Sequence, residues 1–500
     1  MTAESLARWQ FGIVTVYHFF FVPITIGMSG LVAALQTMWV RTGNERYLKL
    51  TKFYGKLFLI NFAIGVATGI VQEFQFGMNW SDFSRFVGDI FGAPLALEGL
   101  LAFFLESTFL GLWIFGWDRL PKRIHLACIW LASFGTVLSA YFILAANSWM
   151  QNPVGYTFNE AKNRAELTDF GAVLTNPVAT VTFPHQILAC YMVAGALIVA
   201  ISGWHLWRIG RADLAAAAHS PAAADGDAHE DGPDALQRKT PTTDDRGTHR
   251  WALRFGAIVM LVSGLGVVIS GDLQARVMTE VQPMKMAAAE ALYDTAQPAS
   301  FSVFTIGSLD GSRELFSIKV PYVLSFMATG DPNGRVEGIR DIQAAYEKTY
   351  GPGTYTPNIP VTYWGFRLMI GMGVAAMAVG MLTLWLTRRD RLPTAPWVRL
   401  MFVVLPFLPL LANSFGWIFT EMGRQPWVVF GLLGTASGVS PGTTVGEVAT
   451  SLITFTVIYA VLAVVEVKLL LRYIVKGLPD VTPTPATDDE DEETPLSFAY

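Results

Sequence analysis

Charged residues are scarce in this chain. Asp, Glu, Lys and Arg make up 15% of its 500 residues, whereas apolar residues make up 52%. Soluble domains carry about 25% charged residues, so this balance, with a mean hydropathy of +0.40, excludes a soluble enzyme and indicates a polytopic membrane protein. The chain also lacks a basic patch with interleaved aromatic residues, so nothing supports nucleic-acid binding.

Cysteine is nearly absent, since only Cys128 and Cys190 are present. They fall in different apolar runs, near opposite ends of their predicted helices, which argues against a disulfide. Neither belongs to a CxxC pair, so an iron–sulfur cluster or a structural zinc site is not expected.

Histidine is also scarce. Three of the seven histidines fall in a predicted linker, and the four that remain are too few for the two haems and the copper ion of a haem–copper oxidase. No predicted helix carries two well-spaced histidines, which excludes the bis-histidine pattern of membrane b cytochromes. Two of the four lie at the cytoplasmic ends of predicted helices and are interpreted as interfacial residues. His18 and His185 then remain as candidate metal ligands. The histidines set aside are His125, His205, His219, His229 and His249.

Long apolar runs are abundant. Runs of about 20 residues or more can cross a bilayer as helices. The first run, of about 28 residues, is too long for the core of a signal peptide, so it is expected to stay as a membrane helix. The predicted spans number nine and lie at 12–40, 53–76, 94–117, 124–149, 183–207, 251–270, 363–387, 398–421 and 448–472.

Lysine and arginine are concentrated in alternate connections between these spans. By the positive-inside rule, the N-terminus is predicted outside and the C-terminus in the cytoplasm. The long outer connection mixes apolar, Gly and Pro residues, with helix-like patterns at 277–293 and 336–349, and is predicted to be structured. The predicted organisation is helices 1–5 in 1–207, a disordered cytoplasmic linker in 208–250, helix 6 in 251–270, the outer segment in 271–362, helices 7–9 in 363–472 and an acidic cytoplasmic tail in 473–500.

The string FGWIFTEMGRQPW, residues 415–427, ends one apolar run with a carboxylate and a guanidinium. Glu421 lies in a helix otherwise suited to lipid, and Arg424 follows one turn later. An interfacial salt bridge with a tryptophan anchor would explain them equally well. Ionisable groups at membrane depth are, however, mostly functional.

His18, His185 and Met369 lie at comparable depths in three different spans. A lone histidine in a membrane is often only a satisfied polar residue, and a lone methionine is normally core packing. Together, however, His and Met are an axial pair for low-spin haem iron. Arg367, two residues before Met369, is suited to pair a haem propionate.

Glu98 and Glu106 share one predicted helix, where eight residues place them about 80° apart and about 12 Å along the axis. They are interpreted as proton carriers or as charge compensators for a reduced haem, with two structurally hydrogen-bonded carboxylates as the alternative. Ser139 and Asn147 have the same spacing on the next helix and would hold waters or make ordinary interhelical hydrogen bonds.

Several strings are more specific than any single residue. They are QFGIVTVYHFFFVP, GKLFLINFAIGVATG, EFQFGMNW, GDIFGAPLALEGLLAFFLEST, NSWMQNP and GRQPW. Through them the chain resembles subunit I of the cytochrome bd-type quinol oxidases over about 1–207 and 251–472. The resemblance implies an all-α membrane subunit with two b-type haems, one low-spin and one high-spin, and one haem d.

The resemblance also implies roles for individual residues. His185 and Met369 would ligate the low-spin haem, while His18 and Glu421 would serve the other two haems, in an order that the sequence leaves open. Lys285 and Glu290, which elsewhere would be an ordinary surface pair, match the family's quinol-binding loop, where a general base is needed. The remaining residues expected at the cofactors are Arg367, Trp417 and Arg424.

The function expected from the resemblance is copper-free oxidation of quinol by dioxygen, which is reduced to water. The chain would sit in the cytoplasmic membrane of a prokaryote with a homologous subunit II and small single-span proteins. It would move charge without pumping protons. The two rival interpretations are a proton-coupled transporter, against which the lack of inverted repeats argues, and a one-haem electron carrier without an oxygen site. The sequence leaves the choice between menaquinol and ubiquinol open.

Overall fold

The computed structural model describes residues 2–219, 243–308 and 311–481. Within these ranges, nine helical segments are long and apolar enough to cross a membrane, which confirms the predicted number and the helical membrane fold. Three of the segments are composite: α3 continues into α4, α6 precedes α7, and α13 precedes α14. The helices are α1 (Ala3–Thr42), α2 (Glu45–Met78), α3 (Ser81–Leu97), α4 (Phe104–Phe115), α5 (Lys122–Gln151), α6 (Phe170–Leu174), α7 (Pro177–His219), α8 (Thr243–Val281), α9 (Pro283–Glu290), α10 (Val323–Thr329), α11 (Ile339–Tyr350), α12 (Ile359–Leu386), α13 (Pro396–Val404), α14 (Phe407–Met422) and α15 (Val445–Lys476).

Short antiparallel hairpins interrupt the helical pattern in three connections of the described chain. Each hairpin pairs two strands that follow one another in sequence, and none extends into a larger sheet. They lie outside the apolar spans, so they do not alter the helical class of the fold. The strands are β1 (Tyr156–Asn159), β2 (Arg164–Leu167), β3 (Phe301–Gly307), β4 (Glu314–Val320), β5 (Trp427–Val429) and β6 (Leu433–Gly434).

The turn between α1 and α2 shows how the sequence ends one span and starts the next. Gly43 follows α1 with φ 68°, a left-handed conformation that suits glycine, and its N–H closes on Trp39 O. Asn44 then caps α2, because its side chain accepts from Arg46 N. Two residues therefore suffice to reverse the chain between these long helices.

α7 and α8 extend beyond the predicted spans, which corrects the predicted linker boundaries. α7 runs to His219 and α8 starts at Thr243, so 208–250 is helical at both ends, and Arg246 pairs with Asp213 across the two extensions. Hydropathy had placed His249 in the linker, but it is buried in α8 and stacks on His205, with the ring centroids 4.3 Å apart. His229, the centre of the linker and most of the acidic tail lie outside the described residues.

α7 and α8 pack along most of their length. A Cβ at Gly195 would lie 2.8 Å from Gly256 O, and a Cβ at Gly256 would lie 2.9 Å from Gly195 O. Because neither position has room for a side chain, the two backbones approach closely here, as small residues allow between membrane helices. This contact fixes the two helices that carry His185 and its neighbours.

The segment between α8 and α12 is an elaborate connection rather than a simple loop. The predicted helix at 277–293 is divided at Gln282 into the end of α8 and the short helix α9. The second predicted helix, 336–349, is found as α11. Between them lie the β3–β4 hairpin and α10, which the sequence analysis did not predict. α9 is buried under this segment, with every residue from Met284 to Glu290 buried.

Candidate functional site

His18 is held by a hydroxyl on α2. Its Nδ1 lies 2.9 Å from Thr68 Oγ1, and that hydroxyl donates to Gly65 O at 2.9 Å. Since the Thr68 proton is already used, its oxygen accepts from His18 Nδ1–H, which leaves Nε2 unprotonated. Gly69 is the next residue, and a Cβ there would lie 3.2 Å from His18 Cε1, so the ring passes close to the α2 backbone.

His185 is held in the same manner by α8. Its Nδ1 lies 3.1 Å from Ser270 Oγ, and Ser270 donates to Gly266 O at 2.8 Å. The same reasoning makes Nδ1–H the donor and leaves Nε2 as the free ring nitrogen. Gly271 follows Ser270, and a Cβ there would lie 3.4 Å from His185 Cε1. Two separate histidines are therefore oriented by the same pair of residue types, a hydroxyl followed by glycine, and each keeps Nε2 unprotonated.

The other well-described histidines are engaged differently. Both ring nitrogens of His125 have partners, Gln36 Nε2 at 2.8 Å and Trp113 O at 2.8 Å. His205 Nε2 lies 2.9 Å from Ile474 O, and the His205 ring stacks on His249. These contacts tie helices together.

Met369 lies on α12 against α14. A Cβ at Gly416 would lie 2.9 Å from Met369 Sδ, so glycine is what lets the thioether lie beside that helix. Met369 packs against a cluster that includes Val178 of α7 and Ala275 of α8. Val178 is two turns from His185 on α7, and Ala275 is one turn from Gly271 on α8. Met369 therefore lies in the same region of the α7–α8–α12 contact as His185.

Arg367 is paired with protein rather than free. Its Nη2 donates to Glu290 Oε2 at 2.7 Å, its Nε donates to Ser302 O at 2.6 Å, and both charged side chains are almost fully buried. One guanidinium nitrogen, Nη1, has no partner among the described residues, and neither does Glu290 Oε1. Burial raises the pKa of the Glu290 carboxyl, and Arg367 opposes that shift. Arg367 is thus positioned to hold Glu290 and still offer one donor.

Glu421 lies in a continuous hydrogen-bond network. Arg424 pairs with its Oε2, and Asn147 Nδ2 donates to its Oε1 at 2.9 Å. Gln151 Nε2 donates to Asn147 Oδ1 at 2.9 Å, and Lys285 Nζ donates to Gln151 Oε1 at 2.7 Å. The structure therefore connects Lys285 to Glu421, which the sequence analysis had treated as separate sites.

Lys285 is buried at 1% exposure, an unusual setting for an ammonium group. Loss of hydration lowers its pKa to about 7, the charge of Arg424 adds to the shift, and Glu421 opposes it. Lys285 and Glu290 lie on the same short helix but have different partners, Gln151 for one and Arg367 for the other. The ordinary surface pair considered for them is therefore wrong.

Glu98 and Glu106 are brought closer in angle than the sequence predicted. Residues Glu98–Phe103 form a π-helical turn between α3 and α4, which takes up an extra residue and moves the carboxylates toward one face instead of about 80° apart. Ser139 donates to Glu98 Oε1 at 2.7 Å. A Cβ at Gly135 would lie 3.0 Å from Ala102 O, so α5 packs directly on this turn. Asn147, in contrast, belongs to the Glu421 network.

Trp417 brings the Glu421 helix to the neighbourhood of His18. Its ring lies 4.7 Å, centroid to centroid, from the ring of Phe19, the residue after His18. At the end of the same region, Arg8 of α1 donates to Gln425 at 3.0 Å. The start of α1 and the end of α14 therefore meet at the end of the bundle that carries α9.

These residues fit a haem-binding protein. Two histidines each present Nε2, Gly69 and Gly271 keep side chains away from the imidazoles, and Met369 offers a thioether. Three buried guanidinium nitrogens at the same end have no partner in the part of the chain that the structure describes, namely Nη1 of Arg367 and both Nε and Nη1 of Arg424. Such donors suit the carboxylates of haem propionates.

Sequence analysis missed the residues that prepare these ligands. Thr68 and Ser270 are ordinary hydroxyl residues of membrane helices, and Gln151 is separated from Lys285 by 134 positions. A hydroxyl residue followed by glycine inside an apolar run marks Thr68 and Ser270, but the same pair occurs at 29–30, 202–203 and 263–264, so it could not have singled them out.

Comparisons with known proteins agree with this fold. The profile of the cytochrome bd terminal oxidase subunit I family matches residues 6–478. The chain is 45% identical to cytochrome bd ubiquinol oxidase subunit 1 of Bacillus subtilis (strain 168), over 99% of this chain and 97% of that protein. It is 35% identical to cytochrome bd-II ubiquinol oxidase subunit 1 of Escherichia coli (strain K12), over 94% and 96%.

A solved structure shares the fold. The bd oxidase from Geobacillus thermodenitrificans contains a chain that matches with a TM-score of 0.79 and 26% identity, over 94% of this chain and 98% of that one. The fold and the histidine sites thus define a haem-binding subunit of a membrane-bound respiratory oxidase. The chain belongs to the cytochrome bd terminal oxidase subunit I family.

Proposed function

We propose that this chain is the haem-bearing subunit of an oxidase that oxidises membrane quinol and reduces dioxygen to water. The observation that carries the proposal is the shared arrangement of His18 and His185, each with Nδ1 bound to a hydroxyl and Nε2 left free. His185 and Met369 would ligate a low-spin b haem. His18 and Glu421 would serve a high-spin b haem and a haem d. Bound haem would supply one-electron transfer and dioxygen binding.

The proposed work of the protein is to hold and orient these ligands. Thr68 and Ser270 fix the imidazole tautomers, and Gly416 lets Met369 approach. Trp417 packs beside Phe19, the residue that follows His18. Arg424 and Arg367 would donate to the haem propionates from guanidinium nitrogens that have no partner among the described residues. A carboxylate such as Glu421 is a weaker-field donor than imidazole and therefore suits a high-spin iron.

Lys285 and Glu290 would accept the quinol protons. A general base works best when its pKa is near the operating pH, and Lys285 has a pKa of about 7. Glu290 Oε1 has no partner within residues 2–219, 243–308 and 311–481, so that oxygen would be able to accept a quinol hydroxyl proton. Two curated relatives are named as ubiquinol oxidases, and a third, 24% identical, is named as a putative menaquinol oxidase, so the names of the relatives leave both quinols open.

The topology would make the reaction electrogenic. The positive-inside rule places the N-terminus outside, so the His18, His185, Met369 and Glu421 sites lie near the outer surface. Quinol protons would leave to the outside, whereas the protons used to make water would cross most of the bilayer from the cytoplasm. Glu98 and Glu106 would lie on that route. The chain would sit in the inner membrane with a homologous subunit II and small single-span subunits, and without copper.

Proton counting tests this proposal. Sealed vesicles containing the purified oxidase receive quinol, and oxygen uptake and external protons are recorded together. About one proton released outside per electron, as expected when each quinol yields two of each, supports the proposed route. About two would mean proton pumping, and absence of quinol-dependent oxygen uptake would contradict the oxidase assignment.

A further inference from the structure

The connection between Lys285 and Glu421 has a fixed direction. We infer that Gln151 and Asn147 are positioning residues that couple the quinol side of the protein to the Glu421 ligand through one polarised hydrogen-bond chain. The inference rests on the proposed function, because it takes Glu421 as an iron ligand and Lys285 as a quinol-side residue. It concerns Asn147, for which the sequence suggested only a water-holding or interhelical role, and Gln151, for which it suggested none.

The two ends of the hydrogen-bond chain determine the orientation of the Asn147 and Gln151 side-chain amides. A carboxylate can only accept, so Asn147 must direct its NH₂ group to Glu421 Oε1. The Asn147 oxygen then needs a donor, which the Gln151 NH₂ group supplies at 2.9 Å. The Gln151 oxygen is left to accept from Lys285 Nζ at 2.7 Å. Every donor therefore points from Lys285 toward Glu421.

The Lys285 half of this hydrogen-bond chain is dry and held in place, whereas the Glu421 side chain at the other end is 30% exposed. Gln151 and Lys285 are each 1% exposed, so little water competes for the hydrogen bonds. Gln282 Nε2 donates to Gln151 O at 2.6 Å and fixes the backbone at the middle of the chain. A Cβ at Gly423 would lie 2.6 Å from Lys285 Cγ, so glycine is needed for the lysine stem to pass α14.

Aligned hydrogen bonds in a buried site strengthen one another. With Lys285 Nζ as the first donor, positively charged whenever it holds the extra proton, and with the amide dipoles in line, the hydrogen-bond chain draws electron density from Glu421 Oε1. A carboxylate that donates less density to iron favours the reduced state, so the intact chain should raise the reduction potential of the haem that Glu421 ligates. A change in the charge or the contacts of Lys285 would therefore change the reduction potential of that haem, although Lys285 does not contact it directly.

The test interrupts the hydrogen-bond chain at Gln151, in its middle, and at Lys285, its first donor. Gln151→Leu removes both hydrogen bonds at similar volume, and Lys285→Met removes the donor. The readout is the midpoint potential of each haem in the purified oxidase, measured by redox titration. Both variants should shift the Glu421-linked high-spin haem to lower potential and leave the low-spin haem of His185 and Met369 unchanged.

The double variant is the sharper measurement. If the side chains act as one unit, Gln151→Leu with Lys285→Met should shift the potential no further than either change alone. Additive shifts, or no shift in either single variant, would overturn the inference. If Gln151→Leu does not fold, Lys285→Met and Asn147→Leu provide the same comparison.

Gln282→Leu is the matched control. It removes the hydrogen bond to Gln151 O and leaves the side-chain hydrogen bonds between Lys285 and Glu421 intact. An equal shift in Gln282→Leu would show a merely structural effect and overturn the inference. Failure of the proposed function itself would look different, because the wild-type protein would then lack the high-spin haem.

Discussion

His18 Nδ1 and Thr68 Oγ1 lie 2.9 Å apart, and the Thr68 hydroxyl donates its hydrogen bond to Gly65 O. This relationship selects the tautomer that leaves His18 Nε2 free. Ser270 does the same for His185 from a different helix. Because hydroxyl residues are weak anchors on their own, it is the use of their protons by the backbone that makes them acceptors.

The first prediction concerns these two hydroxyls. Thr68→Val keeps the shape of the side chain and removes the acceptor, so the haem bound through His18 should lose about 10- to 100-fold in affinity. The measurement is haem content by difference spectroscopy after haem-limited expression. The low-spin signal should remain.

Ser270→Ala is the reciprocal control. It should weaken the low-spin haem held through His185 and leave the His18 site unaffected. If both variants reduced both haems equally, the hydroxyls would act on folding and not on individual ligands.

Met369 provides the second prediction. Met369→Leu keeps the volume and removes the sulfur, so packing should cost less than about 1.5 kcal/mol. The low-spin optical signal should disappear or convert to high spin while the other haems remain. Met377→Leu, a partly buried residue of the same helix, should leave the spectrum unchanged. An unaltered low-spin signal in Met369→Leu would exclude this methionine as a ligand.

Glu290 provides the third prediction. Glu290→Gln keeps the volume and an oxygen for Arg367 but cannot accept a proton, so quinol turnover should fall about 100-fold or more. The haem bands should stay intact. Glu314→Gln, the same chemical change in the β3–β4 hairpin, is the control that should retain turnover. Full turnover in Glu290→Gln would place the quinol site elsewhere.

The pH dependence of stability provides the fourth prediction. Folding lowers the pKa of Lys285 from its ordinary 10.5 to about 7, because burial removes water from the ammonium. Between these values the unfolded chain binds the extra proton, so stability rises with pH by at most about 1.4 kcal/mol per unit. Lys285→Met should remove this slope.

Thermal unfolding between pH 7 and pH 10 measures the slope. The difference in melting temperature between wild type and Lys285→Met should change steadily in favour of wild type as the pH rises. A difference that does not vary with pH would mean that Lys285 keeps an ordinary pKa in the fold.

The sequence predicted the membrane spans because lipid demands about 20 apolar residues per helix. It misplaced the ends of α7 and α8 because hydropathy detects the membrane and not the helix, which continues through polar residues such as Arg246. It missed the π-helical turn at Glu98, since an inserted residue changes the angular spacing without changing composition.

The candidate site was predicted in part for a similar reason. Histidine, methionine and buried carboxylates are rare enough in membrane spans to be noticed singly. Their partners Thr68, Ser270 and Gln151 are common residue types, and they acquire meaning only through contacts between distant helices. Such contacts need the fold.

The most direct test of the central claim is a reduced-minus-oxidised absorption spectrum of the purified wild-type protein with its partner subunit. The account predicts b-type haem bands together with a chlorin band from haem d. A single b band would indicate a one-haem electron carrier, and no haem band at all would indicate a transporter. Either result would contradict the assignment of His18, His185, Met369 and Glu421 as ligands of three haems.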